Sequence, residues 1–420
     1  MAVALARHGY EVVVTEDNPT DAKRTLAAAL GVELLESPDR RRLVEAVRGA
    51  ALVSPSPSIP PRHPAFAAAA EAGVPVLSEF ELASWWSDTP MAAITGTDGK
   101  TTVTTMVTDM LRASGLRAID CGNNDLPLVA AIEQDVDVLV VEASSFRLQL
   151  QDHFRPVVGT WLNFAADHLD WHQSLDEYAE AKARLWRAQH PDDVAVANAD
   201  DETVMRYARR APSRVVTFGA GGDFRLEHGL LRATRGDELV AAADLWRAMP
   251  HDIANALAAS ATALAAGATL EGVRSALLDF RGLPHRVSPV AEAEGVSWYD
   301  DSKATAPHAA TTAIQGFDSV VLIAGGRNKG LDLSVLAEEA ERIRAVVAIG
   351  EAAPEIERAF AGLRPVTVAD SMDAAVAAAA DYAQPGDAVL LSPACASFDW
   401  YRNYGERGDA FARAVEALLS

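Results

Sequence analysis

The residues best suited to chemistry in this chain are four of its lysines. The sequence holds five lysines against thirty-two arginines. Arginine is a planar fork that stays protonated, whereas lysine is a compact point charge whose amine can become neutral and nucleophilic. A chain that writes its generic cations as arginine keeps lysine where a guanidinium fails. Lys100 lies in ITGTDGKTT, Lys182 in EYAEAKARLW, Lys303 in DDSKATA and Lys329 in AGGRNKGLD, while Lys23 has no comparable setting.

Gly96-Thr97-Asp98-Gly99-Lys100-Thr101-Thr102 falls between a predicted strand, MAAIT, and a predicted helix, TTVTTMVTDMLRASG. Glycines let a backbone wrap a phosphate, the helix start supplies N–H donors, and the lysine neutralises phosphate charge. A threonine hydroxyl there can hold Mg²⁺. The spacing is not the full Walker pattern, because Ile94 stands five residues before Gly99. The order strand, glycine loop, helix still points to a nucleotide.

Glu142 ends the apolar run DVLVV, where a carboxylate suits Mg²⁺, an ion that takes a few carboxylates plus phosphates and water. Asp167-His168-Leu169-Asp170-Trp171-His172 crowds its ligands too closely for a zinc cage; it reads as one histidine serving a hard metal or a phosphate, or as a packed loop. Ser174-Leu175-Asp176-Glu177 is a capping box, so a helix is predicted from about 175. Lys182 then shares a face with Tyr178 and Leu185, beside Trp186. Burial favours a neutral amine, which can take up carbon dioxide and become a carboxylate-like metal ligand. The alternative is a lysine that snorkels to solvent.

These residues need elements to position them. Strand-like runs alternate with helical ones throughout, which implies α/β architecture with mostly parallel sheets. The N-terminus reads as a helix end, a turn at Gly9 and a strand ending at Val14. ALVSPSPS reads as a strand running into a Pro-rich loop. DVLVVEASS, PVVGTWLNF, SVVLIAGG, AVVAIG and AVLLSPA are further predicted strands, and NALAASATALAAG a helix. Boundaries at 88 and 283 give three domains: 1–88, 89–283 and 284–420. The net charge of -22 excludes a general nucleic-acid or membrane surface, both of which need a basic face. Two cysteines exclude a disulfide framework and fit a reducing cytoplasm. No apolar run reaches the length of a membrane span.

Taken together the motifs resemble the Mur ligase family. The likeness runs through ITGTDGKTT, GNNDLP (122–127), VEASSF (141–146), NFAADHLDWH (163–172), EYAEAKARLW, NALAA, LPHR (283–286), DDSKAT, AGGRNKG and SPACASFDWYRNYGERGDAF (392–411). The resemblance implies a Rossmann-like UDP-binding domain, a central mononucleotide-binding ATPase domain and a Rossmann-like C-terminal domain for the amino acid. DSKAT and SPACAS indicate the glutamate-adding branch. The implied reaction is ATP-dependent joining of D-glutamate to UDP-N-acetylmuramoyl-L-alanine through an acyl phosphate, by a cytoplasmic monomer. Readings left open are an L-glutamate-adding or folylpolyglutamate-synthase-like ligase, and an inactive nucleotide-binding regulator.

The resemblance also implies roles. Gly96 to Thr102 and Lys100 hold the ATP phosphates, with Thr101 and Glu142 on a first Mg²⁺. His168 and carbamylated Lys182 hold a second. Asn255, Arg286, Asp301 and Lys303 serve the rest of ATP. Ser56, Ser58, Asn123 and Ser144 face the UDP substrate, and Thr305, Lys329, Ser397 and Tyr404 the glutamate. Against the family pattern, this chain begins after the usual first strand and glycine-rich loop. Asp125 stands for a usual glycine, Arg147 for a usual glutamine and Ala306 for a usual asparagine. Arg147 is expected to offset the Asp125 charge.

Overall fold

The computed structural model describes residues 1–57, 59–124, 126–169 and 171–420, so Ser58, Asp125 and Asp170 lie outside the described residues. The chain divides into two compact units. One gathers Met1–Phe164, Trp171–Ala241 and Asn255–Leu278; the other gathers Ala165–Asp170, Ala242–Ala254 and Asp279–Ser420.

The first unit begins with the helix Ala2–Arg7 and a short parallel pair, β1 (Val13–Glu16) and β2 (Glu33–Glu36). The strand expected to end at Val14 runs two residues further, to Glu16. Among the described residues of ALVSPSPS, the one pairing is an isolated bridge, Val53 to Val76. Pro55 and Pro57 remove ladder donors there and block continuation of a strand.

The main sheet of this unit comprises β3 (Met91–Thr95), β4 (Ala118–Gly122), β5 (Val138–Glu142), β6 (Val158–Trp161), β7 (Val194–Asn198) and β8 (Arg214–Phe218). The order is β4-β5-β3-β6-β7-β8, and every pairing is parallel. β3 and β5 are buried along their whole length, as near-continuous apolar strands covered on both faces should be. Register pairs Ile94 with both Glu142 and Thr160. The phosphate loop, Glu142 and Asn163 therefore leave the sheet at one carboxyl edge, where open α/β sheets bind ligands.

Gly159 makes room for an aromatic neighbour in β6. A Cβ there would stand 2.8 Å from Trp186 Cδ1, and the Trp186 indole N–H donates to the Gly159 carbonyl at 2.8 Å. The helix Glu79–Trp86 packs with this sheet, since Phe80 and Ala83 share a core with Leu139, Trp161 and Leu185. A small antiparallel sheet follows: β9 (Arg225–Glu227), β10 (Leu230–Arg232) and β11 (Glu238–Ala241).

The second unit holds β12 (Ser288–Ala293), β13 (Val296–Asp300), β14 (Val320–Gly325), β15 (Ile343–Ile349), β16 (Val366–Ala369) and β17 (Ala388–Leu391) in the order β12-β13-β17-β14-β15-β16. β12 and β13 form an antiparallel hairpin; the other pairings are parallel. Alternate residues of β14 enter opposite cores, Val320 and Leu322 one and Val321 and Ile323 the other, the period of two that a strand covered on both faces requires.

Candidate active site

The phosphate loop is shaped by two constraints. Gly99 has φ 81°, a left-handed conformation that L side chains rarely adopt. A Cβ at this position would also stand 2.7 Å from Asn255 Oδ1. Glycine is therefore demanded by conformation and by the approach of Asn255. Across the loop, Asn163 Oδ1 accepts from the Thr97 and Asp98 amides, each at 2.9 Å. Lys100 Nζ folds onto its own loop, donating to the carbonyls of Gly96 at 2.9 Å and Thr97 at 2.8 Å.

Lys182 reaches the same carbonyl. The predicted helix forms as Leu175–Ala183, and Ser174 Oγ accepts from the Glu177 amide at 3.1 Å. Lys182 is 1% exposed, so it does not snorkel. Its Nζ donates to the Gly96 carbonyl at 2.7 Å and lies 4.6 Å from the centre of the Tyr178 ring. The Tyr178 hydroxyl stands 3.3 Å from Thr97 Oγ1. Two lysine amines thus converge on one carbonyl beside a helix start. This is a place built for concentrated negative charge.

Glu142 is buried at the end of β5, and its Oε1 accepts from Asn123 Nδ2 at 3.2 Å. Ser144 is buried nearby, and its hydroxyl has no hydrogen-bond partner among the described residues. His172 is buried and shares a 3.0 Å hydrogen bond with Ser145. Ser56 is exposed, and Ser58 lies outside the described residues. Arg147 pairs with Glu79 and stands 5.5 Å from the Phe80 ring centre. Its expected partner, Asp125, lies outside the described residues. Burial pushes the Arg147 guanidinium down to about 10.

Thr101 lies in the first turn of the helix Lys100–Ala113. With Glu142 it offers hard oxygen ligands, a set that fits Mg²⁺ sharing its shell with phosphates and water. His168 belongs to the short segment grouped with the second unit; it has φ 56°, and its amide donates to Asp167 Oδ1 at 2.8 Å. Among the described residues no three His, Cys, Asp or Glu side chains stand together as a metal cage.

In the second unit the DSKAT loop leaves β13. Asp301 is buried; its carboxylate accepts from Ser392 Oγ at 2.7 Å and from the Val287 amide at 3.2 Å. Burial pushes its carboxyl up to about 7, although the Ser392 hydroxyl and the Arg286 charge oppose the shift. Lys329 Nζ donates to Thr305 Oγ1 at 3.4 Å, and Lys303 Nζ stands 3.8 Å from the Tyr404 ring centre. Ser397 is buried, and its carbonyl accepts from the Tyr401 amide at 2.8 Å.

Sequence reasoning left three contributors unassigned. Asn163 holds the phosphate loop. Arg407, 1% exposed, ties two motif loops together: Nε donates to Ser302 Oγ at 2.9 Å, Nη2 to the Ser302 carbonyl at 2.7 Å and Nη1 to the Cys395 carbonyl at 3.0 Å. His285 Nδ1 lies 2.6 Å from Asp300 Oδ2, and a Cβ on Gly408 would stand 2.2 Å from that nitrogen. The available signals were the Arg-Gly pair of NYGERGDAF and the repeated aspartate of DDSKAT.

Comparison with known proteins shows the family. The Mur ligase middle domain matches residues 94–263, and the Mur ligase glutamate ligase domain matches residues 285–395. A UDP-N-acetylmuramoylalanine--D-glutamate ligase of Frankia casuarinae is 44% identical over 434 residues, covering 99% of this chain and 91% of that protein. The enzyme of that name from Thermobifida fusca is 40% identical over 450 residues, covering 100% and 96%. In fold, the chain resembles a UDP-N-acetylmuramate-alanine ligase from Thermotoga maritima, with TM-score 0.62 and 20% identity over 99% of this chain and 96% of the other. A pseudomurein peptide ligase type C from Methanothermus fervidus gives TM-score 0.64 at 16% identity, covering 100% and 96%. With relatives this similar along its length, and with both domain families matched around its four lysine-bearing motifs, the chain belongs to the Mur ligase family.

Proposed function

We propose that this chain is the ATP-dependent ligase that adds D-glutamate to UDP-N-acetylmuramoyl-L-alanine in peptidoglycan precursor synthesis. The observation that carries the reading is the phosphate loop itself, with Lys100 Nζ held against the Gly96 and Thr97 carbonyls and the Thr97 and Asp98 amides held by Asn163. The reaction brings a triphosphate and two anionic substrates together, and preorganised positive charge is its largest requirement. ATP phosphorylates the terminal carboxylate of the alanyl substrate. The amine of glutamate attacks the acyl phosphate, and phosphate leaves to give the amide.

In this reading Lys100 and the Gly96–Thr102 loop hold the phosphates, and Thr101 with Glu142 holds Mg²⁺. His168 and Lys182 as its carbamate serve a second ion. The ions neutralise phosphate charge and polarise the reacting oxygens. Burial of Lys182 supports the carbamate, because an uncharged amine is the form that takes up carbon dioxide. Asn255, Arg286, Asp301 and Lys303 complete the ATP site. Asn123, Ser144, Ser56 and Ser58 serve the UDP substrate; the Ser144 hydroxyl, without a hydrogen-bond partner among the described residues, supports that assignment. Thr305, Lys329, Ser397 and Tyr404 bind glutamate. The corresponding domains are 1–88, 89–283 and 284–420. The chain acts as a cytoplasmic monomer, as the family resemblance implies.

The test is phosphate release from ATP with UDP-N-acetylmuramoyl-L-alanine and a panel of amino acids. D-Glutamate is expected to give the highest kcat/KM. Equal or faster turnover with L-glutamate overturns the substrate assignment, and no release with any amino acid favours the inactive nucleotide-binding alternative.

A further inference from the structure

We propose that the Tyr404 ring is the seat that positions the Lys303 ammonium for nucleotide phosphate, by attraction of the cation to the ring face. The proposal rests on the assignment of Lys303 to ATP made above. It gives Tyr404 a role separate from glutamate binding.

The geometry fixes Lys303 at both ends. At the backbone, the Lys303 amide donates to the His285 carbonyl at 3.1 Å. The preceding residue is pinned too, since Ser302 Oγ donates to the Tyr404 carbonyl at 2.7 Å and accepts from Arg407 Nε at 2.9 Å. At the tip, Nζ lies 3.8 Å from the Tyr404 ring centre. The ring is itself held. Tyr404 opens the helix Tyr404–Leu419, which Asn403 caps by accepting from the Glu406 amide at 2.8 Å. The His285 ring meets it edge-on, with centroids 6.1 Å apart and planes at 77°.

An aromatic seat has a particular advantage here. Lysine carries its charge on a flexible four-carbon stem, so the ammonium has to be held before it can act as a preorganised contact. A carboxylate would hold it but would also neutralise it and compete with phosphate. A ring face attracts the cation through its quadrupole and leaves the full charge for the ligand. Because Tyr404 begins the helix that follows SPACAS, the amino-acid loop and the phosphate-handling lysine share one rigid support.

The test measures binding of the β,γ-imido analogue of ATP, with Mg²⁺, to the full chain. Lys303→Met is expected to weaken binding. Tyr404→Leu is expected to weaken it about 3- to 30-fold, the span of cation–π contacts from exposed to desolvated settings. The double variant should bind no worse than Lys303→Met, because a seat without its cation has nothing left to position. To keep the shape while changing the ring, phenylalanine and its mono-, di- and trifluoro forms are placed at 404. Phenylalanine should recover most of the Tyr404→Leu loss, and affinity should fall stepwise as fluorine drains the ring face. A flat fluorine series, or additive losses in the double variant, overturns the proposal. Unchanged binding by Lys303→Met overturns the assignment of Lys303 to phosphate, and this proposal with it; that failure is distinguished because it shows in the Lys303 arm alone.

Discussion

Replacing Arg407 by lysine should damage the second unit more than replacing it by methionine. The buried guanidinium serves three acceptors: the Ser302 hydroxyl, the Ser302 carbonyl and the Cys395 carbonyl. Hydrogen bonds to charged groups contribute about 1.5–3 kcal/mol each. A lysine keeps the buried charge, is more strongly hydrated than a guanidinium, and from one nitrogen cannot reproduce the fork. Losing two of the three bonds while still burying an ion predicts a loss of about 3–5 kcal/mol. Methionine also strands the acceptors, at about 1–3 kcal/mol each. It removes, however, the several kcal/mol needed to desolvate an ion, a burden visible in the Arg407 guanidinium being pushed down to about 10 chiefly by burial. The net for methionine is then about 1–3 kcal/mol. Urea unfolding of the second unit gives the ranking. Hydrogen exchange at the Lys303, Ala304 and Ala396 amides shows whether the loosening is local to the two tied loops. An Arg407→Lys change within about 0.5 kcal/mol of wild type, the range of surface substitutions, or methionine clearly worse than lysine, refutes the reasoning.

Three further outcomes are expected. Lys182→Arg should lower kcat by at least about 100-fold without rescue. Lys182→Ala should recover part of its activity in acetate, which can enter the vacated space as a carboxylate; equal activity of the Arg variant and wild type removes the carbamate from the proposal. Asp301 binds its proton more tightly when folded than the ordinary aspartate does, with the carboxyl pushed up to about 7. Its contribution to stability is complete below the unfolded value and declines as pH rises toward 7. Asp301→Asn should flatten that decline in denaturant midpoints read from pH 4 to 8, and an unchanged slope counts against the shift. Gly99→Ala meets both an unfavourable φ and the Asn255 side chain, so it should destabilise the loop by about 1–3 kcal/mol and weaken nucleotide binding; wild-type affinity in this variant would mean the loop reshapes freely.

What the sequence made legible follows from periodicity. Long apolar runs gave β3, β5 and β14, and Ser174 with Glu177 located the start of the lysine-bearing helix. The hairpin β12–β13 and edge strand β16 went unread because their burial alternates or is irregular, so no continuous apolar run marks them. ALVSPSPS looked like a strand by its first residues, but its prolines limited it to a bridge. At the site, residues that touch a phosphate announce themselves by type and spacing. Residues that hold those residues do not. Asn163 follows a strand by two positions, and Arg407 lies more than one hundred residues from the Ser302 it serves. The Arg-Gly pair marks Arg407 and nothing local marks Asn163, but neither shows what it holds, because their partners meet only in the folded unit.

The hold of Asn163 on the Thr97 and Asp98 amides decides when the phosphate loop loses its freedom. Fixing a residue's backbone costs about 1–2 kcal/mol in conformational entropy. With these two amides anchored by the protein itself, that loss of roughly 2–4 kcal/mol is taken during folding and not when nucleotide arrives. A loop already ordered lets more of each phosphate contact appear as affinity. Calorimetry of Asn163→Ala should accordingly show weaker nucleotide binding carried chiefly by a less favourable entropy, and an unchanged entropy would mean that the loop orders itself without help.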